Sequence, residues 1–238
     1  LAPEVIFICV KEYSLDSVLP FIRQTAGPRT IIIPILNIYG TGARVQKELP
    51  DCTVLDGCIY VSASLEHPGV LVQHGPILRV VFGSRNPSYI SPILSAIQSD
   101  LCESGIDGVL STHIQRDALE KFSYVSPIGA AGVYLHAVAG DFQKEGAARE
   151  LFKSMIREIS TLAAAMGYPF EKDYVKINLE ILSNLSADAT TSMQRDIMEG
   201  KPSELDGLVM EPLRLAKKYS VSMPCYEEVA NALCPLEF

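Results

Sequence analysis

Residues 5–36 read VIFICVKEYSLDSVLPFIRQTAGPRTIIIPIL, and the spacing of apolar residues in this stretch sets the fold class. The predicted strand over 4–10 is continuously apolar from Val5 to Val10, which is typical of a strand buried on both faces. Apolar residues at helical spacing follow from Leu15 to Ile22, and Thr30 to Leu36 predicts a second buried strand. A strand–helix–strand order predicts parallel pairing through a right-handed crossover. The first part of the chain is therefore predicted to be α/β.

Three further strands and one helix are predicted before residue 112. The strands cover 57–64, 69–74 and 78–83, with a turn at His67-Pro68-Gly69. The helix runs from Ser88 to Glu103 because one face collects five apolar residues, namely Ile90, Ile93, Leu94, Ile97 and Leu101. Gly40-Thr41-Gly42 is predicted to be a loop. No third glycine follows it at the spacing of a dinucleotide-binding turn.

The pattern changes near Ser111-Thr112, where strand-like runs stop and helical spacing begins. Helices are predicted over 115–138, 146–166, 171–184, 191–199, 204–219 and 225–233. Two domains follow from this change. Residues 1–112 are predicted to form the C-terminal part of a Rossmann-type α/β domain with a parallel sheet, and residues 113–238 to form an all-α domain.

Composition limits the classes of partner. The 238 residues carry a formal net charge of −8, which argues against nucleic acid because no basic stripe is available to neutralise phosphates. No apolar run reaches the 18 residues of a membrane span. Cys9 and Cys58 lie within predicted strands, so buried, reduced thiols and a cytoplasmic location are expected. The four histidines are scattered, and no metal site is predicted.

The stretch from Thr190 to Asp206 allows two interpretations. In the structural one, Thr191 or Ser192 caps a short helix that ends at Gly200, and a new helix follows. In the functional one, Ser192 and Glu204 face one cleft, where they bind the carboxylate and the hydroxyl of a substrate. Spacing alone favours the structural interpretation.

The same stretch resembles the signature of the ketopantoate reductase (2-dehydropantoate 2-reductase) family, which runs Ser-Ser-Met, then Asp, then Gly-x-Pro-x-Glu. Here it reads Thr191-Ser192-Met193, Asp196 and Gly200-Lys201-Pro202-Ser203-Glu204. Other segments are similar in the same order. They are the strand that ends at Lys11, the strand that runs into Asn37, and the hairpin around 57–70. The similarity covers essentially the whole chain.

The resemblance implies a reaction and a set of site residues. The reaction is the NADPH-dependent reduction of ketopantoate to pantoate, with a homodimer as one expected assembly. Lys121, which in isolation reads as a surface charge, matches the catalytic lysine that polarises the ketone and donates the proton. Glu204 would hold the substrate hydroxyl and Ser192 the carboxylate. Lys11 and Asn37 would line the cleft near the nicotinamide ribose, and Asn37 would also face the substrate.

Departures from the family pattern keep other readings open. The family carries asparagines one and two helical turns after its lysine, where this chain has Val125 and Gly129. A different 2-oxo acid is therefore a second prediction. A non-catalytic protein that binds a small acid or dimerises is a third. The chain also shows no Gly-x-Gly-x-x-Gly turn. This absence predicts that roughly 60 residues, two βαβ units of roughly 30 residues each, precede residue 1.

Overall fold

The strand–helix–strand prediction for the first part of the chain is confirmed by a computed structural model, which describes residues 2–89 and 91–233. Strand β1 (Val5–Ile8) leads through helix α1 (Leu15–Thr25) to strand β2 (Ile31–Pro34). The two strands pair in parallel, with Val5 opposite Ile31. Residues alternate between the two faces of a strand, so β2 contributes to two cores. Ile32 packs with the buried face of α1, whereas Ile31 and Ile33 pack on the other side.

A helix forms where a loop was predicted. Helix α2 (Thr41–Glu48) begins directly after Gly40 and is followed by strand β3 (Thr53–Val54), which pairs in parallel with β2. Gly40 has φ 82°, a left-handed conformation that glycine adopts without strain. The loop prediction for Gly40-Thr41-Gly42 was therefore wrong. The helix has only one buried aliphatic side chain, Val45, so its sequence lacks the apolar periodicity that identifies a helix.

A long antiparallel hairpin replaces the three strands predicted over 57–83. Strand β4 (Asp56–His67) pairs with strand β5 (Val70–Gly83), and the turn at Pro68 and Gly69 lies where it was predicted. Strand β5 is continuous, and the predicted break near residue 75 is an irregularity in its register with β4. Strand β6 (Asp107–Leu110), which was not predicted, adds in parallel to β5.

Two further details of the first part differ from the sequence prediction. Helix α3 (Pro92–Glu103) begins at Pro92 rather than Ser88, because proline suits the first turn of a helix. Ile90, which was assigned to its apolar face, lies outside the described residues. Cys58 is buried in β4 as predicted, but Cys9 lies past the end of β1 and is exposed.

The second part of the chain is helical. Its helices are α4 (Ile114–Leu135), α5 (Ala139–Gln143), α6 (Ala147–Ala165), α7 (Tyr174–Ser183), α8 (Ser192–Met198), α9 (Glu211–Tyr219) and α10 (Pro224–Leu233). A π-helical segment, Asp206–Met210, precedes α9, so the single helix predicted over 204–219 is two segments. Helix α6 is the central element. It contacts α5, α7, α9 and α10 through a fully buried face that includes Phe152, Met155, Ile156 and Ile159.

The chain divides into two compact units, Leu1–Ala118 and Leu119–Phe238, and the first turn of α4 belongs to the first unit. Unit 1 holds the strands and unit 2 the helical bundle. Among the described helices, none is both long and apolar enough to cross a membrane.

Candidate functional site

Lys121 lies on α4, early in unit 2, and its side chain is half-buried. Asn178 of α7, which is fully buried, holds the turn of α4 that carries this lysine. Its side-chain amide donates to the backbone carbonyl and to the hydroxyl of Ser123, at 3.1 Å each. Ser123 Oγ in turn donates to the carbonyl of Glu120 at 2.7 Å. Asn178 was not predicted, because the contact joins residues 55 positions apart in the sequence.

Val125 and Gly129 lie on the same stripe of α4 as Lys121, one and two helical turns later. A Cβ atom placed on Gly129 would lie 3.2 Å from Met193 Cε and 3.8 Å from Leu208 Cδ1. Gly129 is therefore a packing position, at which α4 meets both α8 and the π-helical segment. The absence of a side chain lets Met193, which is 1% exposed, close against the backbone of α4.

Ser192 is the first residue of α8 and is half-buried. The residue that caps the helix is Thr191, whose side chain accepts a hydrogen bond from the backbone N–H of Gln194 at 3.2 Å. Gln194 Oε1 accepts from the backbone N–H of Thr191 at 2.9 Å, which completes a capping box. The predicted cap and stop are both present, since Gly200 ends the segment with φ 66°.

Gln194 also fixes α8 against α4. Its Nε2 atom donates to the carbonyl of Ala137, just past the end of α4, at 2.7 Å. The side-chain amide lies so close to Gly132 of α4 that a Cβ there would be 2.7 Å from Gln194 Cδ. Gln194, the partner of Thr191 in the capping box, thus holds Ser192 at a defined position along α4.

Glu204 lies just before the π-helical segment and is 2% exposed. Among the acidic and basic side chains that the structure describes, only Asp56 and Glu204 are buried. A buried carboxylate costs several kcal/mol unless it is paired or hydrogen-bonded, so such positions are uncommon outside functional sites. A π-helical turn beside it is a second feature that is frequent at functional sites.

Lys11 and Asn37 lie in unit 1 at one edge of the sheet. Each follows the carboxyl end of its strand by three residues, because β1 ends at Ile8 and β2 at Pro34, and these two residues are paired. Both side chains are half-buried. Ligands of open α/β sheets bind at this edge, outside the carboxyl ends of the strands.

A partly buried polar network supports the loop that carries Asn37. Tyr39 donates to Gln115 Oε1 at 2.6 Å, and Gln115 donates in turn to Asp56. Arg85 Nη1 donates to the other oxygen of Asp56 at 2.6 Å. Burial raises the pKa of the Asp56 carboxyl above its usual value, although Arg85 and Gln115 act in the opposite direction. Sequence reasoning missed this network, whose members come from separate segments.

Two family models match the chain. Residues 2–87 match the family described as ketopantoate reductase PanE/ApbA, and residues 113–237 match ketopantoate reductase PanE/ApbA C terminal. Among curated proteins, the 2-dehydropantoate 2-reductase of Aquifex aeolicus (strain VF5) is 24% identical over 233 residues. These residues are 96% of this chain and 75% of the relative.

Solved structures with the same fold include enzymes named for different substrates. The 2-dehydropantoate 2-reductase from Geobacter metallireducens GS-15 superposes with a TM-score of 0.89 at 20% identity, over 98% of this chain and 77% of that one. D-mandelate dehydrogenase, in a ternary structure with NADH and anilino(oxo)acetate, gives a TM-score of 0.86 at 19% identity. That match covers 97% of this chain and 75% of the enzyme.

Proposed function

The chain belongs to the ketopantoate reductase PanE/ApbA family of oxidoreductases, and we propose that it reduces ketopantoate to pantoate with NADPH, in pantothenate and coenzyme A biosynthesis. Reduction of a 2-oxo acid requires a hydride donor over the carbonyl carbon, a proton donor for the developing alkoxide and a clamp for the carboxylate. Of these groups, Lys121 would supply the proton donor and Ser192 the clamp for the carboxylate.

One observation carries the proposal. At Gly129, helix α4 packs against Met193, which follows Ser192 directly, and against Leu208, one helical turn after Glu204. The helix that bears Lys121 is therefore in contact with the two segments that bear the other candidate residues. Three elements that were separate in the sequence meet within unit 2.

Each side chain has a proposed role. Lys121 Nζ binds the ketone oxygen and transfers its proton there as negative charge develops. Ser192 Oγ donates a hydrogen bond to the substrate carboxylate. Glu204 accepts one from the substrate hydroxyl, which orients the carbonyl carbon. A carboxylate with little exposure to water suits this task, because hydrogen bonds to charged groups strengthen where water is excluded.

The residues of unit 1 fit a nicotinamide cofactor. A cation and an amide, Lys11 and Asn37, follow the paired ends of two parallel strands, where dinucleotides bind in this fold class. When bound, the nicotinamide supplies the hydride. Lys11 and Asn37 would hold its ribose, and Asn37 would also face the substrate. The choice of NADPH over NADH follows the family resemblance.

A different 2-oxo acid is the second candidate substrate, and Val125 and Gly129 favour it. Neither position contributes an amide to the stripe of α4 that begins at Lys121. The space beside Gly129 is occupied by the side chains of Met193 and Leu208. A stripe without amides suits an acid that carries an apolar side chain. D-mandelate dehydrogenase, which has the same fold, is named for an acid with an aromatic side chain.

Location and assembly are part of the proposal. Cys9, Cys52, Cys58, Cys102 and Cys225 are free thiols, which supports a reducing compartment, the cytoplasm. Unit 2 also presents exposed apolar side chains, among them Ile181, Leu185 and Met198, which would suit a homodimer. Light scattering of the purified protein tests the dimer.

The test of function is oxidation of NADPH by the full-length protein with two matched acids. Ketopantoate and 3,3-dimethyl-2-oxobutanoate differ by one hydroxyl, the group assigned to Glu204. Preference for ketopantoate of about 10⁴-fold in kcat/KM is expected if that hydroxyl is bound by buried polar groups. Equal turnover, or preference for the analogue, would favour the second candidate. Binding of either acid without turnover would mean a non-catalytic protein.

A further inference from the structure

The segment that follows Glu204 depends on a hydrogen bond from another helix. Pro212 has no N–H, so it cannot donate to the carbonyl of Leu208, four residues earlier, as a helix requires. Ser126 Oγ of α4 donates to this carbonyl instead, at 2.6 Å. Ser126 is fully buried and lies five residues after Lys121.

Because the Leu208 carbonyl can only accept, it also fixes the direction of a second hydrogen bond, between Ser126 and a tyrosine hydroxyl. Tyr226 of α10, also fully buried, places its hydroxyl 2.5 Å from Ser126 Oγ. Each hydroxyl has one proton to donate, and Ser126 directs its own to Leu208. Tyr226 must therefore donate to Ser126. Burial raises the pKa of the Tyr226 phenol well above its usual value, so the phenol keeps this proton.

Helix α6 holds the first turn of α10, which carries Tyr226. Glu158 accepts hydrogen bonds from the backbone N–H groups of Cys225 and Tyr226, at 2.8 and 3.1 Å. These groups belong to the first turn of α10, whose N–H groups have no partner within the helix. Tyr226 is thereby held by the central helix of unit 2.

We propose that Ser126 and Tyr226, the buried hydroxyl pair, are positioning residues that set where Glu204 stands relative to Lys121. The roles of Lys121 and Glu204 rest on the proposed function. Ser126 is on the helix of Lys121, and Leu208 is bonded to the Glu204 turn, because its N–H donates to the Glu204 carbonyl at 2.9 Å. A shift of Leu208 therefore moves Glu204. Misplacement of a reacting group by 1 Å costs about 100-fold in rate.

The test compares three variants of the full-length protein. Ser126→Ala removes both hydrogen bonds, whereas Tyr226→Phe removes one and keeps the shape of the side chain. Tyr134→Phe is the matched control, because Tyr134 also joins α4 to α10, through Glu228 at 2.9 Å, but at an exposed position. We expect kcat/KM for the 2-oxo acid to fall about 30- to 100-fold in Ser126→Ala and about 3- to 10-fold in Tyr226→Phe. Tyr134→Phe should match the wild type, and the Kd of NADPH should stay unchanged in all three.

Amide hydrogen exchange over residues 204–212 tests the same inference without turnover. Exchange should be faster in Ser126→Ala and unchanged in Tyr134→Phe. Wild-type kcat/KM in Ser126→Ala would overturn the proposal and leave the function standing. If the wild type reduces no 2-oxo acid, the function fails, and the exchange rates alone decide whether the hydroxyl pair holds the Glu204 segment. Unchanged exchange in Ser126→Ala would then overturn the positioning role.

Discussion

Replacement of Gly132 by alanine tests whether Gln194 fixes α8 against α4. The added Cβ would lie 2.7 Å from Gln194 Cδ, so the side-chain amide must move. It would then lose its bonds to Ala137 and Thr191, which are 2.7 and 2.9 Å long. Loss of these two bonds, one buried and one partly buried, costs about 2–4 kcal/mol, and the better helix propensity of alanine offsets about 1 kcal/mol of this. The free energy of unfolding should therefore fall by about 1–3 kcal/mol.

Urea unfolding followed by circular dichroism measures this difference, and Gly129→Ala is the matched control. Gly129 lies three residues earlier on the same helix. Its added Cβ would lie 3.2 Å from the flexible end of Met193 and 3.8 Å, an ordinary van der Waals distance, from Leu208 Cδ1. That variant should be as stable as the wild type or more stable by up to about 1 kcal/mol. A Gly132→Ala protein that is no less stable than Gly129→Ala would refute the role of Gln194.

Three further outcomes are expected. Val125→Asn should raise kcat/KM for ketopantoate, relative to its analogue without the hydroxyl, by about 10- to 100-fold. The reason is that this change would add an amide where the family pattern has asparagine; an unchanged ratio would place Val125 away from the substrate. Burial raises the pKa of the Tyr226 phenol in the folded protein. Its neutral form therefore contributes fully to stability below about pH 10, the pKa of the unfolded side chain, and this contribution is lost as pH rises further. Stability measured between pH 9 and 11 should therefore fall less steeply in Tyr226→Phe than in the wild type, and equal slopes would contradict this. Gly42→Ala should lower the free energy of unfolding by about 1–3 kcal/mol, because its Cβ would overlap Asp56 Oδ1 and lie 2.5 Å from the carbonyl of Leu55; a wild-type urea midpoint would show that α2 can move away.

Strands β1 and β2 and the long helices could be predicted because they bury apolar side chains at regular spacing. Residues 31–33 are all isoleucine and fully buried between two cores, which is why the sequence reads as a continuous apolar run. Helix α2 could not be predicted in this way, since its eight residues bury one aliphatic side chain. The π-helical segment also escaped prediction, because apolar spacing over Asp206–Met210 does not differ from that of an α-helix.

In the candidate site, too, residues with local partners could be predicted from the sequence and residues with distant partners could not. Thr191 as the cap of α8 could be predicted from local spacing, because capping depends on residues three apart. Lys121 and Glu204 came from family resemblance, since a lone lysine or glutamate has no local signal of function. The residues that hold them, Ser126 and Asn178, act through contacts 82 and 55 positions away in the sequence. Only the folded chain brings these partners together.

The most direct test of the proposed chemistry is the turnover of ketopantoate by Lys121→Ala in the full-length protein, measured beside Lys176→Ala. Lys176 is an exposed lysine of α7, so its loss controls for the removal of one positive charge. We expect Lys121→Ala to retain the fold and the binding of NADPH while kcat falls by at least about 10³-fold, and Lys176→Ala to keep wild-type kcat. Near-normal kcat in Lys121→Ala would contradict the assignment of the proton donor.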